Sequence, residues 1–542
     1  MNKLYYGDNL NIMMEFISDK SIDLIYLDPP FNSNRNYNVL YRKINGRPVR
    51  EQRVAFCDTW SYDYQARKTE KMLPGIMADR YKLESKYIRF WISWMLALKE
   101  NNKQLLAYLI YMVPRLLEMK RILKASGSIY LHCDPTASHY LKVMMDGVFG
   151  FKNFRNEIIW HYDGPQRPSL KNFGKKHDVI LRYSGGESYY ADSKIISPSK
   201  IVLKEDLDKY RRDENNVPFY DLPRGDYTDA SIERLDKEKR IKWSKNGNPR
   251  IIYRLEKGDD VPCSNLAKGD YADASNEKWL RKKQIHDVWN DIPSLGQSGN
   301  KKEKLGYPTQ KPIDLLNRII LASSKKGDII FDPFCGCGTS VYSANINQRD
   351  WIGCDIAFLA TKLTAGELKK KYKLIEGIHF NITGIPKSAT AARALHTQSP
   401  FIFQTWCVEA VEGFPNKKQT GDRGKDGEIG FFINRTPTEM VLSVKGGKGG
   451  AGPRDVRELR GVLARESTAE LAGLICFNKP TKRMIEESVE AGKLNYGKKL
   501  YNRIQFLTIS EILEGKMFNT PPNIKLDVSS LQKNLDYDRD AH

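Results

Sequence analysis

Two short stretches of this chain share one grammar, and together they restrict the fold more than any other feature. IDLIYL, residues 22–27, is a run of apolar and strand-forming residues that stops at Asp28-Pro29-Pro30-Phe31. DIIFDPF, residues 328–334, is a second such run and leads straight into CGCGT, residues 335–339. Short apolar runs bounded by turn residues suit strands buried on both faces, as in parallel α/β sheets. An acid placed where such a strand ends lies on the edge where open α/β sheets bind their ligands. Taken alone, Asp28 is equally well a stiff turn, because proline fixes φ and removes a donor.

The rest of the first 385 residues keeps an α/β rhythm with one interruption. Leu105, Leu109, Leu116 and Ile122 stand at helical spacing, so the pattern predicts a helix over 105–123 with Gly127 as its stop signal. GSIYLHCD (127–134), EIIWHY (157–162), DVILRY (178–183) and WIGCD (351–355) read as strands, the middle two as paired neighbours. Residues 40–104 read as an insertion with helices. Residues 185–305 break the rhythm, being rich in Lys, Arg, Asp and Tyr, with GDYTDAS (225–231) echoed by GDYADAS (269–275). Composition leaves that segment as either a solvated insertion or a basic element facing DNA. The domain plan is then 1–184 with 306–385, an insertion at 185–305, a linker at 386–398, a second α/β domain at 399–516, and a polar tail at 517–542.

Charge narrows the partner. Across 542 residues, 87 Lys and Arg face 66 Asp and Glu, a net charge of +21 with a pI near 9.3. That excess favours a polyanion, and nucleic acid over anionic lipid, since the longest apolar run (105–113) is too short to span a bilayer. No membrane association is expected. The opening MNKLYYGDNL lacks the marks of a signal peptide. Eight cysteines without a CxxC pair read as free thiols in a reducing cytoplasm, neither a disulfide framework nor a zinc site.

Around the second strand end, Gly336 and Gly338 supply a tight turn and let backbone approach a ligand, and a helix is expected from Thr339. Asp355 closes the next strand, where a carboxylate can accept ribose hydroxyls. The third glycine of a dinucleotide fingerprint would fall at Val341, and Asp332 would repel a pyrophosphate. The same acid would attract an ammonium, which favours S-adenosylmethionine over NAD. Chemistry then gives the Asp28 turn a use. A base's exocyclic amino group is a poor nucleophile until acceptors bind its hydrogens; Asp28 and the Pro29 carbonyl can do so, Pro30 preorganises them, and Phe31 offers a stacking face for an extruded base.

At this point the sequence resembles a known family. LDPPF and FDPFCGCGT look like motifs IV and I of the DNA amino-methyltransferases, in the permuted order of the β group. YPTQKP (307–312) resembles motif X, beside the methionine end of the cofactor, and YYGD resembles the element whose acid, here Asp8, meets the adenine ring. The resemblance covers about residues 1–376. It implies a Rossmann-like class I S-adenosylmethionine methyltransferase sheet acting on double-stranded DNA, and it is compatible with a homodimer. By it, Asp28, Pro29, Pro30 and Phe31 are catalytic, while Asp8, Lys311, Asp332, Phe334, Gly336, Gly338, Thr339 and Asp355 bind the cofactor. An aspartate first in the motif is more usual for adenine N6 than for cytosine N4 enzymes. The family's target-recognition region falls on 185–305. Pro262-Cys263 looks like the Pro-Cys of cytosine C5 enzymes but sits in a polar insertion, so Cys263 is read as an ordinary thiol.

From Phe401 onward, a helix, the strand EMVLSVKGG, the strand ELAGLICF and a further helix are expected. This pattern looks like the Mrr-like branch of PD-(D/E)xK restriction endonucleases. The resemblance makes Asp426 the strand-end acid and Mg²⁺ ligand, Lys445 the catalytic lysine and Glu409 an accessory acid. Ser443 departs from it, standing where Asp, Glu or Gln belongs, and serine is a weak metal ligand. Cleavage and DNA holding without cleavage both remain open, and KGGKGGAGPR (445–454) suits phosphate contact under either. Such a fusion would fit a restriction–modification system.

Overall fold

The computed structural model describes residues 2–30, 36–39, 53–57, 60, 62–162, 174–196, 199–257, 278–282, 285–295, 303–305, 307, 310–416, 424–433, 436–447 and 449–521. Its larger sheet is built, in chain order, from β1 (Asn2–Tyr6), β2 (Ile22–Leu27), β3 (Leu123–Cys133), β4 (Phe154–His161), β5 (His177–Ser184), β6 (Val288–Trp289), β7 (Ile329–Asp332), β8 (Asp350–Asp355) and β9 (Phe380–Thr383). The nine strands lie in the order β6-β4-β5-β3-β2-β7-β8-β1-β9. Only β5 runs against its neighbours; the other pairings are parallel. Leu24, Ile25 and Leu27 are fully buried, as a central strand covered on both faces requires. Most important for function, β2 and β7 are direct parallel neighbours, with Leu24 opposite Ile330 and Ile25 opposite Phe331. The Asp28 turn and the glycine loop therefore leave the same edge of the sheet side by side.

The helices used below are α1 (Asn9–Phe16), α2 (Lys103–Ile122), α3 (Ile313–Ser323), α4 (Thr339–Ile346), α5 (Phe358–Lys370), α6 (Ala389–Gln398), α7 (Pro400–Ala410) and α8 (Pro453–Arg465). Helix α2 starts at the cap Asn102, whose side chain accepts from the Leu105 amide at 3.0 Å, and it is buried nearly all round. Helices at Tyr64–Asp79 and Ser85–Asn101 pack against it, which confirms helices in the expected insertion and explains why α2 can be apolar beyond one stripe. Its buried Glu118 is matched by Arg80, Tyr81 and Arg121. The helix passes into β3 at Leu123 without using Gly127 as a stop. That glycine serves packing: a Cβ there would lie 2.6 Å from the Asp23 carbonyl oxygen.

Residues 191–287 form a compact unit of their own. It holds a four-stranded antiparallel sheet, built from Arg211–Arg212, Pro218–Pro223, Ile241–Trp243 and Pro249–Arg254, and a smaller three-stranded one. Two small cores hold it, Val202, Leu207, Leu255 and Trp279 in one and Ile232, Leu235 and Ile251 in the other. The interruption is thus a folded module rather than a solvated run. The first GDY repeat contains Thr228, which caps the helix Asp229–Lys237; the second repeat and Cys263 lie outside the described residues.

The carboxy-terminal sheet contains β10 (Phe414–Pro415), β11 (Gly427–Ile433), β12 (Thr436–Lys445), β13 (Ala469–Cys476) and β14 (Ile504–Thr508), in that spatial order. Its expected strands and helices are present. The expected linker at 386–398 is not a linker: most of it is α6, capped by Ser388 on the Ala391 amide, with Ala392 fully buried in this domain's core. Small residues read as a boundary, but alanines behind a serine cap are helix formers. The core also takes in Tyr6 of β1, with Phe358 and Ile385 packed against it, so the two sheets share apolar contacts.

Candidate active site

One pocket collects the two strand ends. It is lined by Gly7, Asp8, Asn9, Asp28, Pro29, Pro30, Tyr111, Tyr307, Pro333, Phe334, Gly336, Asp355, Ile356 and Ala357. Three of these side chains are acids and none is Lys or Arg. Asp28 sits at one end, with its Oδ2 accepting from Lys311 Nζ at 2.6 Å. Both side chains are withdrawn from solvent, 13% exposed for Asp28 and 10% for Lys311. Its other oxygen, Oδ1, is buried and has no hydrogen-bond partner among the described residues. A buried, unpaired carboxylate oxygen is costly, and a donor brought by a ligand would satisfy it.

The other end is held by Asp355. Its Oδ2 accepts from the Gly336 amide and its Oδ1 from the Ala357 amide, both at 2.8 Å. Burial pushes its carboxyl up to about 6, with those amides acting against the rise. Each oxygen keeps a second lone pair for a ligand hydroxyl. Gly336 and Gly338 have φ of +51° and +87°, and a Cβ on Gly338 would stand 2.6 Å from Thr364 Cγ2. The turn therefore requires glycine at Gly338 for both backbone and space. Helix α4 starts at Thr339, as expected, and Thr339 lines a smaller cavity with Asp28, Lys311 and Asp332.

Two expected ligands have duties inside the protein. Asp8 caps α1 through the Leu10 amide at 2.8 Å, and its Oδ2 accepts from Arg115 Nη2 at 2.7 Å. Asp332 clamps the glycine loop, accepting from the Phe334 amide at 2.9 Å and from the Ser340 hydroxyl. Burial raises its carboxyl to about 7. Lys311, expected beside the cofactor, is found on Asp28. Phe31 lies outside the described residues, while Pro29, Pro30 and Phe334 line the pocket.

Several side chains of the site carried no sequence signal. Arg115 on α2 is buried, orients Asp8, and donates to Asn9 Oδ1 at 2.7 Å; Asn9 in turn donates to the Pro333 carbonyl at 2.8 Å. Its guanidinium stands 3.4 Å from the centroid of the Tyr111 ring. Behind Asp28, Tyr26 Oη meets His132 Nδ1 and His132 Nε2 meets Asp178 Oδ2, each at 3.0 Å. Tyr162 donates to Asp178 at 3.1 Å. Asp178 lies below the usual carboxylate range despite burial, because His132 hydrogen-bonds it. A histidine in an apolar strand and a helix arginine look ordinary in sequence; His132's partners are 106 and 46 positions away, and Arg115's carboxylate and amide partners are 107 and 106 away.

In the carboxy-terminal sheet, Asp426 stands just before β11. Its Oδ2 accepts from the Val444 amide at 2.6 Å and from Ser443 Oγ at 3.3 Å, and its Oδ1 accepts from Gln404. Lys445 pairs with Asp455 at 3.2 Å. Glu409 does not join them: it accepts from the Phe358 amide of the first domain at 2.9 Å. No group of three or more His, Cys, Asp or Glu among the described residues is arranged to hold a metal ion. Cys133, Cys335, Cys337, Cys354, Cys407 and Cys476 are free and buried, and no described helix is long and apolar enough to cross a membrane.

Comparison with known proteins gives the following. Residues 22–358 match the family described as DNA methylase, of the N6/N4 type. Type II methyltransferase M.EcaI of Enterobacter cloacae is 28% identical over 280 residues, covering 47% of this chain and 56% of that protein. This chain thus spans little more than half of M.EcaI. DNA adenine methyltransferase YhdJ of Escherichia coli (strain K12) is 22% identical over 353 residues, covering 65% of this chain and 78% of that protein. The solved structure of PvuII DNA methyltransferase (cytosine-N4-specific) aligns with a TM-score of 0.35 at 11% identity, covering 70% of this chain and 88% of that one, a likeness too slight to argue from.

Proposed function

The chain belongs to the N6/N4 DNA methylase family, and from that premise we propose that it methylates the exocyclic amino group of a base in double-stranded DNA, adenine N6 before cytosine N4. The observation that carries this reading is Asp28, whose Oδ1 is buried and unpartnered among the described residues, in the lining of the pocket that Asp355 also lines. Lys311 occupies Oδ2, so the carboxylate presents one defined acceptor. An amino hydrogen of the target fits that oxygen, and the Pro29 carbonyl is the second acceptor in the same turn. With both hydrogens held, the nitrogen lone pair is released from the ring and can form the new N–C bond, one N–H proton leaving afterwards. The target must be turned out of the duplex to reach this depth.

S-adenosylmethionine fits the rest of the pocket and, when bound, supplies the methyl group from its sulfonium. Asp355 would take the ribose hydroxyls, Ile356 and Tyr111 would face the adenine, and the Asp8 side would meet its edge. Three acids and no Lys or Arg among the described lining residues suit a cationic ligand without phosphate and oppose a pyrophosphate cofactor. Adenine is preferred because aspartate leads the Asp-Pro-Pro-Phe motif, and the relative named as an adenine methyltransferase is consistent with it. The test is transfer of labelled methyl from S-adenosylmethionine to duplex DNA, followed by nucleoside analysis. N6-methyladenine supports the full reading, N4-methylcytosine corrects the base, and no incorporation ends it.

For the carboxy-terminal domain we infer a restriction-endonuclease-like module that holds DNA without cutting it. Ser443 at the ligand position and donors on both oxygens of Asp426 support this over metal-dependent cleavage.

A further inference from the structure

Helix α5 begins without a side-chain cap. Its cap residue is Ala357, which offers no acceptor, so the first amide of the helix needs a partner from elsewhere. That partner is Glu409, 51 positions later on α7 of the carboxy-terminal domain, whose Oε2 accepts from the Phe358 amide at 2.9 Å. The neighbouring amide, Ala357, is tied to Asp355, and Asp355 is tied to Gly336 of the glycine loop. Gly336, Asp355, Ile356 and Ala357 all line the pocket. A series of single hydrogen bonds therefore runs from the carboxy-terminal domain through the pocket wall to the glycine turn. Around it, the Tyr6 hydroxyl donates to the Ile402 carbonyl at 3.4 Å, and the Tyr6 and Phe358 rings meet edge to face at 5.9 Å.

We propose that Glu409 is a positioning residue for the cofactor pocket, its carboxyl group holding the turn from Asp355 to Phe358 in the shape that receives adenosine. The family match ends at residue 358, so Glu409 lies beyond the matched residues. It rests on the reading of the pocket as an S-adenosylmethionine site. In this protein the second domain is then a working part of the first. Preorganised sites depend on such supporting bonds, because a loosened wall must be reordered each time the ligand binds.

The experiment uses the full chain with Glu409→Ala, Glu409→Gln and Ile402→Ala. The last removes buried surface from the same interface without touching the bond. S-adenosylmethionine affinity is measured by calorimetry, turnover at saturating cofactor by methyl incorporation, and exchange of the Phe358 amide by hydrogen exchange without cofactor. Glu409→Ala is expected to weaken binding and speed exchange by about tenfold each, the scale of one buried hydrogen bond, with saturated turnover within about twofold. Glu409→Gln keeps an acceptor and should behave as the parent; Ile402→Ala should lower Tm and leave affinity unchanged. Unchanged affinity and exchange in Glu409→Ala, an equal loss in Ile402→Ala, or a glutamine variant as impaired as alanine each overturn the proposal. Should the alanine variant not fold, Glu409→Asp, which withdraws the carboxyl by one methylene, gives the same comparison. If the parent chain binds no S-adenosylmethionine, the methyl-transfer reading fails, and amide exchange alone still decides whether Glu409 holds the turn.

Discussion

Asp28 and Asp426 are both acids at the edges of α/β sheets, and the protein treats them in opposite ways. Asp28, which lines a pocket, has one oxygen on Lys311 and the other left without a partner among the described residues. Asp426 has its oxygens filled by Gln404, Ser443 and the Val444 amide. Unsatisfied buried acceptors cost stability and persist where a ligand repays them; satisfied ones hold structure together. The contrast separates a centre poised for a donor from an acid that fastens two strands and a helix. Position at a strand end is common to both, so position alone does not make a site.

The sharpest way to break the contrast is at Asp28. Asp28→Ala should reduce methyl transfer by roughly 10²–10³-fold or more, the loss expected for a preorganised acceptor, while S-adenosylmethionine still binds in calorimetry. Retained turnover would reassign the turn. Lys311→Met comes next: about 10- to 100-fold in kcat with cofactor affinity nearly unchanged, because Lys311 touches Asp28. A rise in the cofactor Kd with kcat preserved would return Lys311 to the cofactor end. At the other acid, Asp426→Ala leaves donors unpaired and should cost about 1–3 kcal/mol, read from denaturant unfolding. Methylation should be spared, and Mg²⁺-dependent DNA cleavage by the parent chain would show that Asp426 is more than a fastener.

The smallest effect is a pH dependence. Burial raises Glu409 to about 8, so the fold favours its protonated form. Its contribution to stability is complete below the ordinary carboxylate range, declines as pH rises, and is lost above about 8. Glu409→Gln does not titrate, so the Tm of that variant relative to the parent should rise between pH 6 and pH 9. Asp332 and Asp355, raised to about 7 and about 6, drift the same way in both proteins and cancel from the comparison. A constant difference across that range would show that Glu409 does not titrate there.

Much of the first domain was written in local pattern. Strand runs at 22–27 and 328–334, the glycine turn and the acid at Asp355 are each decided within a few residues, by burial on both faces and by backbone geometry that favours glycine. What the pattern could not supply were partners. Lys311 is expected beside the cofactor because YPTQKP resembles motif X, and its ammonium rests on an acid 283 positions away. The supposed linker is a helix whose Ala392 and Leu395 pack on a core assembled from distant segments. Glu409, on the helix preceding Asp426, looked like an accessory acid to it, but packing turns it toward the amide of Phe358.

By itself, then, the sequence determined which residue types stand at strand ends and which turns only glycine can make, because those depend on short-range sterics and hydrophobic period. Tertiary structure alone decided which acids were left unpaired and which were spent on the protein's own donors. Hydrogen-bond satisfaction is a property of the assembled interior, where a donor hundreds of residues away counts as much as the next one along the chain.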